Sequence, residues 1–402
     1  MGSCLAKNGA SWIRNFIVVF LYESLLVQET VADSMVEVFR HLNWSLYWLY
    51  HGMWPDRDAY GVKYRSGPAY ERRLTPLAGG FFGVLWVLRA DLDWFVKRLF
   101  LTDYRRNSCF LCGADISDET PWTDCRYPPT WLSTVWTKRA WELEFPRRHS
   151  IFRHVSGVSI LMCLPDPLHV KNIGTDGYFL GSVFRLLTHH RLPFSPDANL
   201  EKLRGEIQTE YRRQGIRAGR FTQIKLTTIQ GSSSTLPYMK GTGTQNRNLL
   251  KVLRPIFMAH LDPAMETIDG LVIEAFDYAL QIDSIISGSR GEYRLSVANE
   301  LELKRTTFSF CQAVTKLIKL MHPTPLFHYT IKSHYLCHIG LIGSFTNPGL
   351  GSCEDGEDMM KVVKRLISNS ARGNTPHGAT RTAMLRYTYG LGFDLNRSLR
   401  PH

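Results

Sequence analysis

The feature that most constrains the fold is a short apolar run that ends near two aspartates and continues into an amphipathic segment. Residues Phe81–Leu88 are apolar, follow two glycines and are too few for a long helix, so they predict a buried strand. Asp91 and Asp93 follow this run, and Trp94–Phe100 has the pattern of a beginning helix. In α/β proteins ligands bind outside the carboxyl ends of strands, so this order predicts an acidic site there.

Most of the remaining chain has helical periodicity. Apolar residues recur at three- and four-residue spacing, which predicts helices over 30–49, 166–190, 196–225, 246–287, 297–321 and 357–368. We therefore predict an α/β protein with helix in excess. The most apolar stretch, Phe16–Leu26, contains Glu23 and is shorter than the roughly 20 residues of a spanning helix, so no membrane segment is expected. No secretory signal peptide is expected either, which predicts a location in the nucleus or cytoplasm.

The charge of the chain indicates an anionic partner. Its 48 lysines and arginines outnumber its 36 acidic residues, and the formal net charge is +12. A basic cluster of five side chains has no acid among them: Arg212, Arg213, Arg217, Arg220 and Lys225. A second basic region near the end of the sequence includes Lys364 and Arg365. Such clusters predict contacts with DNA phosphates, and the alternative is an ordinary basic surface.

Cysteine spacing indicates a structural zinc site. Cys109 and Cys112 form a C-x-x-C knuckle, which suits zinc in a reducing compartment. Two more ligands are required, and the nearest candidates are Cys125, His149 and His154. A redox role is less favoured, because no thioredoxin-like βαβ pattern surrounds the pair. The alternative is that the two thiols are packed in a loop without a metal.

Two histidines later in the chain allow a further interpretation. His334 and His338 are four residues apart and would share one face of a helix. A metal-binding pair is one interpretation of this spacing. The glutamate of an H-E-x-x-H motif is lacking, so histidines of the core or the surface are favoured.

Several acidic residues are candidates for chemistry. Asp91 and Asp93 can present oxygens to a hard cation such as Mg²⁺, although an acidic helix N-terminus is the favoured alternative. Asp166 precedes His169 by three residues, so it can cap the next helix or hold the imidazole. Glu354 and Glu357 open a predicted helix, where acids are expected on dipole grounds. Their functional interpretation is a third carboxylate for a two-metal site.

Six segments, taken in order, carry a family resemblance. They are WSLYWLYHGMWPDRDAYG (44–61), LAGGFFGVLWVLRADLDWFVKRL (77–99), CFLC…PWTDCR (109–126), DPLHVKNIGTDGYFLGSVF (166–184), LPYMKG (236–241) and FHYTIKSHYLCHIG…NPGLGSCEDGEDMMKVVKRL (327–366). The ordered set resembles the transposase-like proteins abundant in dinoflagellate and other protist genomes. Those proteins are related to the CACTA and Kyakuja/Dileera/Zisupton DDE transposases. The resemblance extends over most of the chain.

The resemblance implies an RNase H-like fold and metal-dependent cleavage and strand transfer of DNA phosphodiesters. It assigns Asp91 as the second catalytic acid and Glu357 as the third, with Glu354 as the alternative. These acids would hold Mg²⁺ or Mn²⁺. Asp166 and His169 match the Asp-x-x-His motif of the family.

The resemblance also implies impaired catalysis. The first acid of the family should lie on a strand before residue 12, but no acidic residue precedes Glu23. The expectation is a transposon-derived family member that lacks its N-terminal part and is inactive or impaired. The alternatives are a non-catalytic DNA-binding remnant and a basic helical interaction protein.

The same resemblance implies a division of the chain into four parts. A partial RNase H-like core is expected over 1–106, and a Cys/Trp-rich module with the zinc knuckle over 107–165. A large helical insertion is expected over 166–325. The part at 326–402 is expected to carry the third-acid helix and the basic tail.

Overall fold

The protein is helix-rich and contains one small sheet. The structure, a computed structural model, describes residues 31–99, 101–116, 119–145, 158–229, 236–354, 364–366, 368–370, 382 and 385–386. Its α-helices are α1 Val31–His51, α2 Gly67–Arg72, α3 Leu92–Leu99, α4 Lys138–Glu144, α5 Asp176–Arg185, α6 Pro196–Arg213, α7 Leu226–Ile229, α8 Gly243–Met258, α9 Glu266–Gly288, α10 Val297–Met321 and α11 Ile331–Ile342. The π-helical turns Leu168–Thr175 and Leu186–Arg191 continue α5 at its two ends. The strands are β1 Leu88–Arg89 and β2 Cys163–Leu164.

Polar side chains determine where the central helices begin. Thr242 and Gln245 form a capping box at the start of α8. Thr330 and Ser333 form the equivalent box at α11, and the Ser296 hydroxyl accepts a hydrogen bond from the third residue of α10. Each box satisfies N–H groups that the first helical turn leaves without partners.

The helices agree well with the periodicity of the sequence. Those predicted over 30–49, 166–190 and 297–321 are confirmed by α1, by the run that contains α5, and by α10. The segment 246–287 forms two helices, because Pro263 begins a new turn and disfavours a helical residue before it. The segment 196–225 stays helical only to Arg213, since Gly215 takes a positive φ that ends α6. The helix predicted over 357–368 lies largely outside the described residues.

The sheet is smaller than the apolar run predicted. Leu88 and Arg89 pair in parallel with Cys163 and Leu164, and residues 81–87 form no regular strand. The prediction of a buried strand over Phe81–Leu88 is therefore wrong. A strand extends only where a neighbour supplies hydrogen bonds, and here the neighbour is two residues long. Phe81 and Phe82 remain 74% and 70% exposed.

One hydrophobic core joins the elements. It includes side chains of α1, α3, the cysteine-containing loops and every longer helix from α5 to α11. α9 packs on α10, α10 packs on α11, and α11 packs on the π-helical turns Leu168–Thr175. Four phenylalanines from different segments meet at the centre, Phe179, Phe276, Phe310 and Phe327. The four-part division remains a prediction, although side chains from all four predicted parts contribute to this core.

A buried charge cluster joins the π-helical turns to α9. The Lys171 Nζ lies 2.7 Å from Asp176 Oδ2 and 2.9 Å from Asp283 Oδ2, and all three side chains are buried. The Asn172 amide donates to Asp283 Oδ1 at 3.0 Å. Burial raises the pKa of Asp176 to about 6, against the lowering effect of the Lys171 ammonium. Because one cation faces two carboxylates, this cluster depends strongly on Lys171.

Among the helices that the structure describes, none combines the length and the apolar character that a bilayer crossing requires.

Candidate metal centre

The cysteine knuckle and helix α11 bring four metal-binding side chains together. Cys109 and Cys112 lie in the loop that follows Tyr104–Arg106, and α11 presents His334 and His338 one turn apart. All four side chains are buried, and their ligand atoms lie within 4.8 Å of one another. Among the residues that the structure describes, this is the one group of three or more His, Cys, Asp or Glu side chains close enough together to hold a metal ion.

Four of the distances within this cluster are close to those of a tetrahedral zinc site. The His338 Nε2 lies 3.5 Å from Cys109 Sγ, 3.3 Å from Cys112 Sγ and 3.1 Å from His334 Nε2. The Cys112 Sγ lies 3.3 Å from His334 Nε2. In a tetrahedral site with zinc–ligand bonds of about 2.0–2.3 Å, the ligand atoms are separated by roughly 3.3–3.8 Å. A Cys₂His₂ set with this spacing can hold a metal such as zinc.

Surrounding groups orient the ligands. The Leu111 N–H donates to Cys109 Sγ at 3.2 Å, as a backbone amide does in a thiolate knuckle. The His334 Nδ1 lies 3.1 Å from the carbonyl oxygen of Trp122, which leaves Nε2 to face the cysteines. Such outer contacts fix the tautomer and the ring orientation of a metal-binding histidine.

A buried tryptophan covers the two histidines. The Trp131 ring centroid lies 4.4 Å from that of His334 and 4.7 Å from that of His338. Asp124 holds this loop: its carboxylate accepts hydrogen bonds from Arg126 and Thr130, and its carbonyl accepts from Trp131 Nε1 at 2.8 Å. The centre is therefore shielded from water on the Trp131 side.

The protonation of the ligands suits a cation. Burial opposes ionisation of Cys109, yet the hydrogen bond from Cys112 and the adjacent histidines lower its pKa well below the usual value. Burial and the neighbouring thiolate raise the pKa of Cys112. Burial also lowers the pKa of His338, which keeps this imidazole neutral as a metal ligand must be. A metal ion would displace the remaining thiol proton.

The sequence predicted half of this set. Cys109 and Cys112 are in the cluster, but the proposed third ligand, Cys125, is not: its Sγ lies 3.6 Å from Thr315 Oγ1. His149 and His154 lie outside the described residues. The sequence favours core or surface positions for His334 and His338, and the structure buries both beside the knuckle. The four-residue spacing of the two histidines is the sequence signal for this site. An H-x-x-x-H pair and a distant C-x-x-C pair can together form one metal site.

Two of the predicted catalytic residues lie at the same edge of the sheet. The last residues of β1 and β2 are paired, and Asp91 and Asp166 each follow two residues later. Burial lowers the pKa of Lys332 on α11, and the nearby carboxylates of Asp93, Asp166 and Asp91 only partly oppose this effect. The edge therefore combines two carboxylates with a nearby ammonium group from α11.

The acids at this edge already have partners. The Asp166 Oδ1 accepts hydrogen bonds from the backbone N–H groups of Leu168 at 2.9 Å and Cys353 at 3.0 Å, and its Oδ2 contacts His169 Nδ1. The Asp91 Oδ1 accepts from the N–H of Trp94 at 2.6 Å, so Asp91 caps α3. These contacts agree with the capping interpretations of both aspartates.

The two candidates for the third acid are Glu354 and Glu357. Glu354 lies between two arginines: its Oε1 is 3.1 Å from Arg247 Nη2, and its Oε2 is 2.5 Å from Arg290 Nη2. It is thus a partner of cations in this structure. Glu357 lies outside the described residues, so its assignment as third acid stays a prediction.

The basic cluster lies on the surface. Arg212 and Arg213 end α6, and Arg217, Arg220 and Lys225 follow in the loop before α7. All are exposed except Arg220, which is half-buried. Arg213 is neutralised by Glu210, whose carboxylate it contacts at 2.5 and 2.7 Å. In the second basic region, Lys364 and Arg365 are exposed.

No model of a known protein family matches this sequence. No curated protein matches it at a significant level.

Proposed function

We propose that this chain is a DNA-binding protein derived from a DDE transposase, with an RNase H-like ancestry and an impaired cleavage site, held together by a structural zinc ion. The observation that carries the proposal is the placement of Asp91 and Asp166 at equivalent positions after two neighbouring parallel strands. Carboxylates at the carboxyl ends of adjacent strands are typical of active sites in α/β proteins. The ordered motifs and the net charge of +12 support the same assignment.

The surroundings of the acids support loss of catalysis. Two-metal phosphoryl transfer needs carboxylate oxygens that face the metal ions. Here both oxygens of Asp166 and both oxygens of Glu354 are engaged by protein groups. The Lys332 ammonium also places a positive charge near the edge, which disfavours a second cation there. Mg²⁺ or Mn²⁺ would have to displace these contacts before cleavage.

The zinc ion would have a structural role. Its proposed ligands, Cys109, Cys112, His334 and His338, complete a closed four-ligand set, whereas a catalytic zinc keeps one position open for water or substrate. Zinc at this position would tie the knuckle to α11. Because α11 also carries Lys332, the ion would hold one side of the acidic edge in place.

The DNA-binding part is tested by the salt dependence of affinity. Fluorescence anisotropy with a labelled duplex, repeated at several salt concentrations, gives the number of phosphates neutralised. We expect the double variant Arg212→Gln/Arg217→Gln to make the slope of log K against log salt less negative by about 1.8, because each phosphate contact contributes about 0.9. The control Arg305→Gln removes an exposed arginine that is paired with Glu302 on α10.

The results separate the parts of the proposal. If the chain shows no saturable, salt-dependent DNA binding, the proposal is wrong and a basic interaction protein is favoured. Nicking of supercoiled plasmid is then measured with Mg²⁺ and with Mn²⁺. We expect no metal-dependent nicking; nicking that Asp91→Asn abolishes would overturn the impairment while supporting the family assignment.

A further inference from the structure

A cavity of about 210 Å³ lies beside the acidic edge and is separate from the metal centre. Its walls come from the start of the π-helical turns Leu168–Thr175, from α8, from the end of α9 and from residues 347–354. No side chain of the Cys₂His₂ cluster lines it.

Three arginines line this cavity. They are Arg89 at the end of β1, Arg247 on α8 and Arg290 after α9. Glu354 also lines the cavity and is bonded to Arg247 and Arg290, so one carboxylate faces two guanidinium groups. The contacts with Glu354 engage one nitrogen of Arg247 and one of Arg290. A guanidinium has five N–H donors, so each of these two arginines has further donors. The cavity is therefore rich in cationic donors.

The other acid on the wall does not cancel this charge. Asp283 lies 2.9 Å from the buried Lys171 Nζ and accepts from the Asn172 amide. Asp283 shares this ammonium with Asp176, so four cations, the three arginines and Lys171, face three carboxylates in the cavity and behind its wall. The side chain of Asn347 is occupied too, since its amide donates to the carbonyl oxygens of Ser289 and Glu292. The groups that can recognise a ligand are the arginines.

We propose that this cavity binds a phosphate group through Arg89, Arg247 and Arg290, with Glu354 as the internal anion that the phosphate partly replaces. Arginine forks match the geometry of phosphate oxygens and form strong, charge-assisted hydrogen bonds. The phosphate can belong to a small phosphorylated molecule or to a DNA backbone that crosses the cavity. The inference does not rest on the proposed function, because inorganic phosphate alone tests it.

The test is calorimetric titration of the full chain with inorganic phosphate at constant ionic strength, balanced with chloride. We expect saturable binding to the wild-type chain. Arg290→Gln should weaken it roughly tenfold or more, since a charge-assisted hydrogen bond is lost. Glu354→Gln should strengthen it several-fold, because it removes the competing carboxylate. Arg254→Gln, which removes an arginine paired with Asp277 outside the cavity, should leave it unchanged.

The signs of these effects decide the outcome. Absence of saturable binding, equal weakening by Arg290→Gln and Arg254→Gln, or weaker binding in Glu354→Gln would each overturn the proposal. If circular dichroism shows that Glu354→Gln fails to fold, Arg89→Gln is measured in its place. Like Arg290→Gln, it should weaken phosphate binding. Competition then identifies the source: a nucleoside monophosphate that displaces phosphate indicates a small ligand, and displacement by a duplex oligonucleotide alone indicates DNA.

Discussion

The proposed metal centre predicts that substitution of two buried cysteines, one in the knuckle loop and one on α11, has different effects. Cys112 is in the Cys₂His₂ cluster, whereas Cys337 lies on α11 between the two histidines and is outside the cluster. Their exposed fractions are 1% and 0%. Cys112→Ser and Cys337→Ser therefore make the same chemical change at the same depth, and only the first removes a proposed zinc ligand.

The expected difference follows from the surroundings of the two thiols. A buried hydroxyl in place of a thiol costs about 1–3 kcal/mol where it lacks good hydrogen bonds, and this term is common to both variants. Loss of an outer-sphere contact alone lowers metal affinity 10- to 100-fold, which corresponds to about 1.4–2.8 kcal/mol. Loss of a direct ligand must cost at least as much. With zinc present, the free energy of unfolding of Cys112→Ser should therefore be lower than that of Cys337→Ser by at least about 1.4–2.8 kcal/mol.

Elemental analysis and denaturation measure the two parts of this prediction. The wild-type chain and Cys337→Ser should each contain one zinc ion per chain after dialysis, and Cys112→Ser should contain much less. Urea unfolding with and without a chelator should show that the chelator destabilises the wild type and hardly affects Cys112→Ser. Equal zinc content and equal stability in the two variants would refute the metal centre, as would a wild-type chain whose stability no chelator changes.

Three further predictions concern stability, each measured by chemical denaturation. Lys171→Met should cost about 3–5 kcal/mol because two buried carboxylates lose their cation, and a change below about 1 kcal/mol would contradict the charge cluster. Burial raises the pKa of Asp124, but its hydrogen bonds lower it to about 2. The resulting stabilisation of about 2 kcal/mol is complete above about pH 4 and is lost as the pH falls towards 2, and Asp124→Asn should remove this pH dependence. Gly340→Ala should destabilise by roughly 1–3 kcal/mol, since its Cβ would lie 2.1 Å from Thr307 Oγ1. The control Gly270→Ala meets open space and should stabilise by up to about 1 kcal/mol, so equal effects would be inconsistent with close packing of α10 and α11.

Local patterns were sufficient for α1 and α10. The helix predicted over 297–321 coincides with α10, and the predicted start near Thr30 agrees with α1. A helix closes its own backbone hydrogen bonds within four residues, so its signal is contained in the segment. The strand prediction over Phe81–Leu88 was wrong for the complementary reason: whether an apolar run becomes a strand depends on a partner elsewhere in the chain.

The sequence by itself determined that the chain is basic and helix-rich, that Cys109 and Cys112 are spaced as metal ligands, and that Asp91 and Asp93 follow an apolar run. Tertiary structure alone decided which histidines complete the set, since 222 residues separate Cys112 from His334. It also decided that Asp91 and Asp166 share an edge and that Glu354 is bonded to two arginines. Spacing along the chain controls contacts within a turn or a knuckle. Contacts between distant segments are set by how α9, α10, α11 and the π-helical turns bury their apolar faces together.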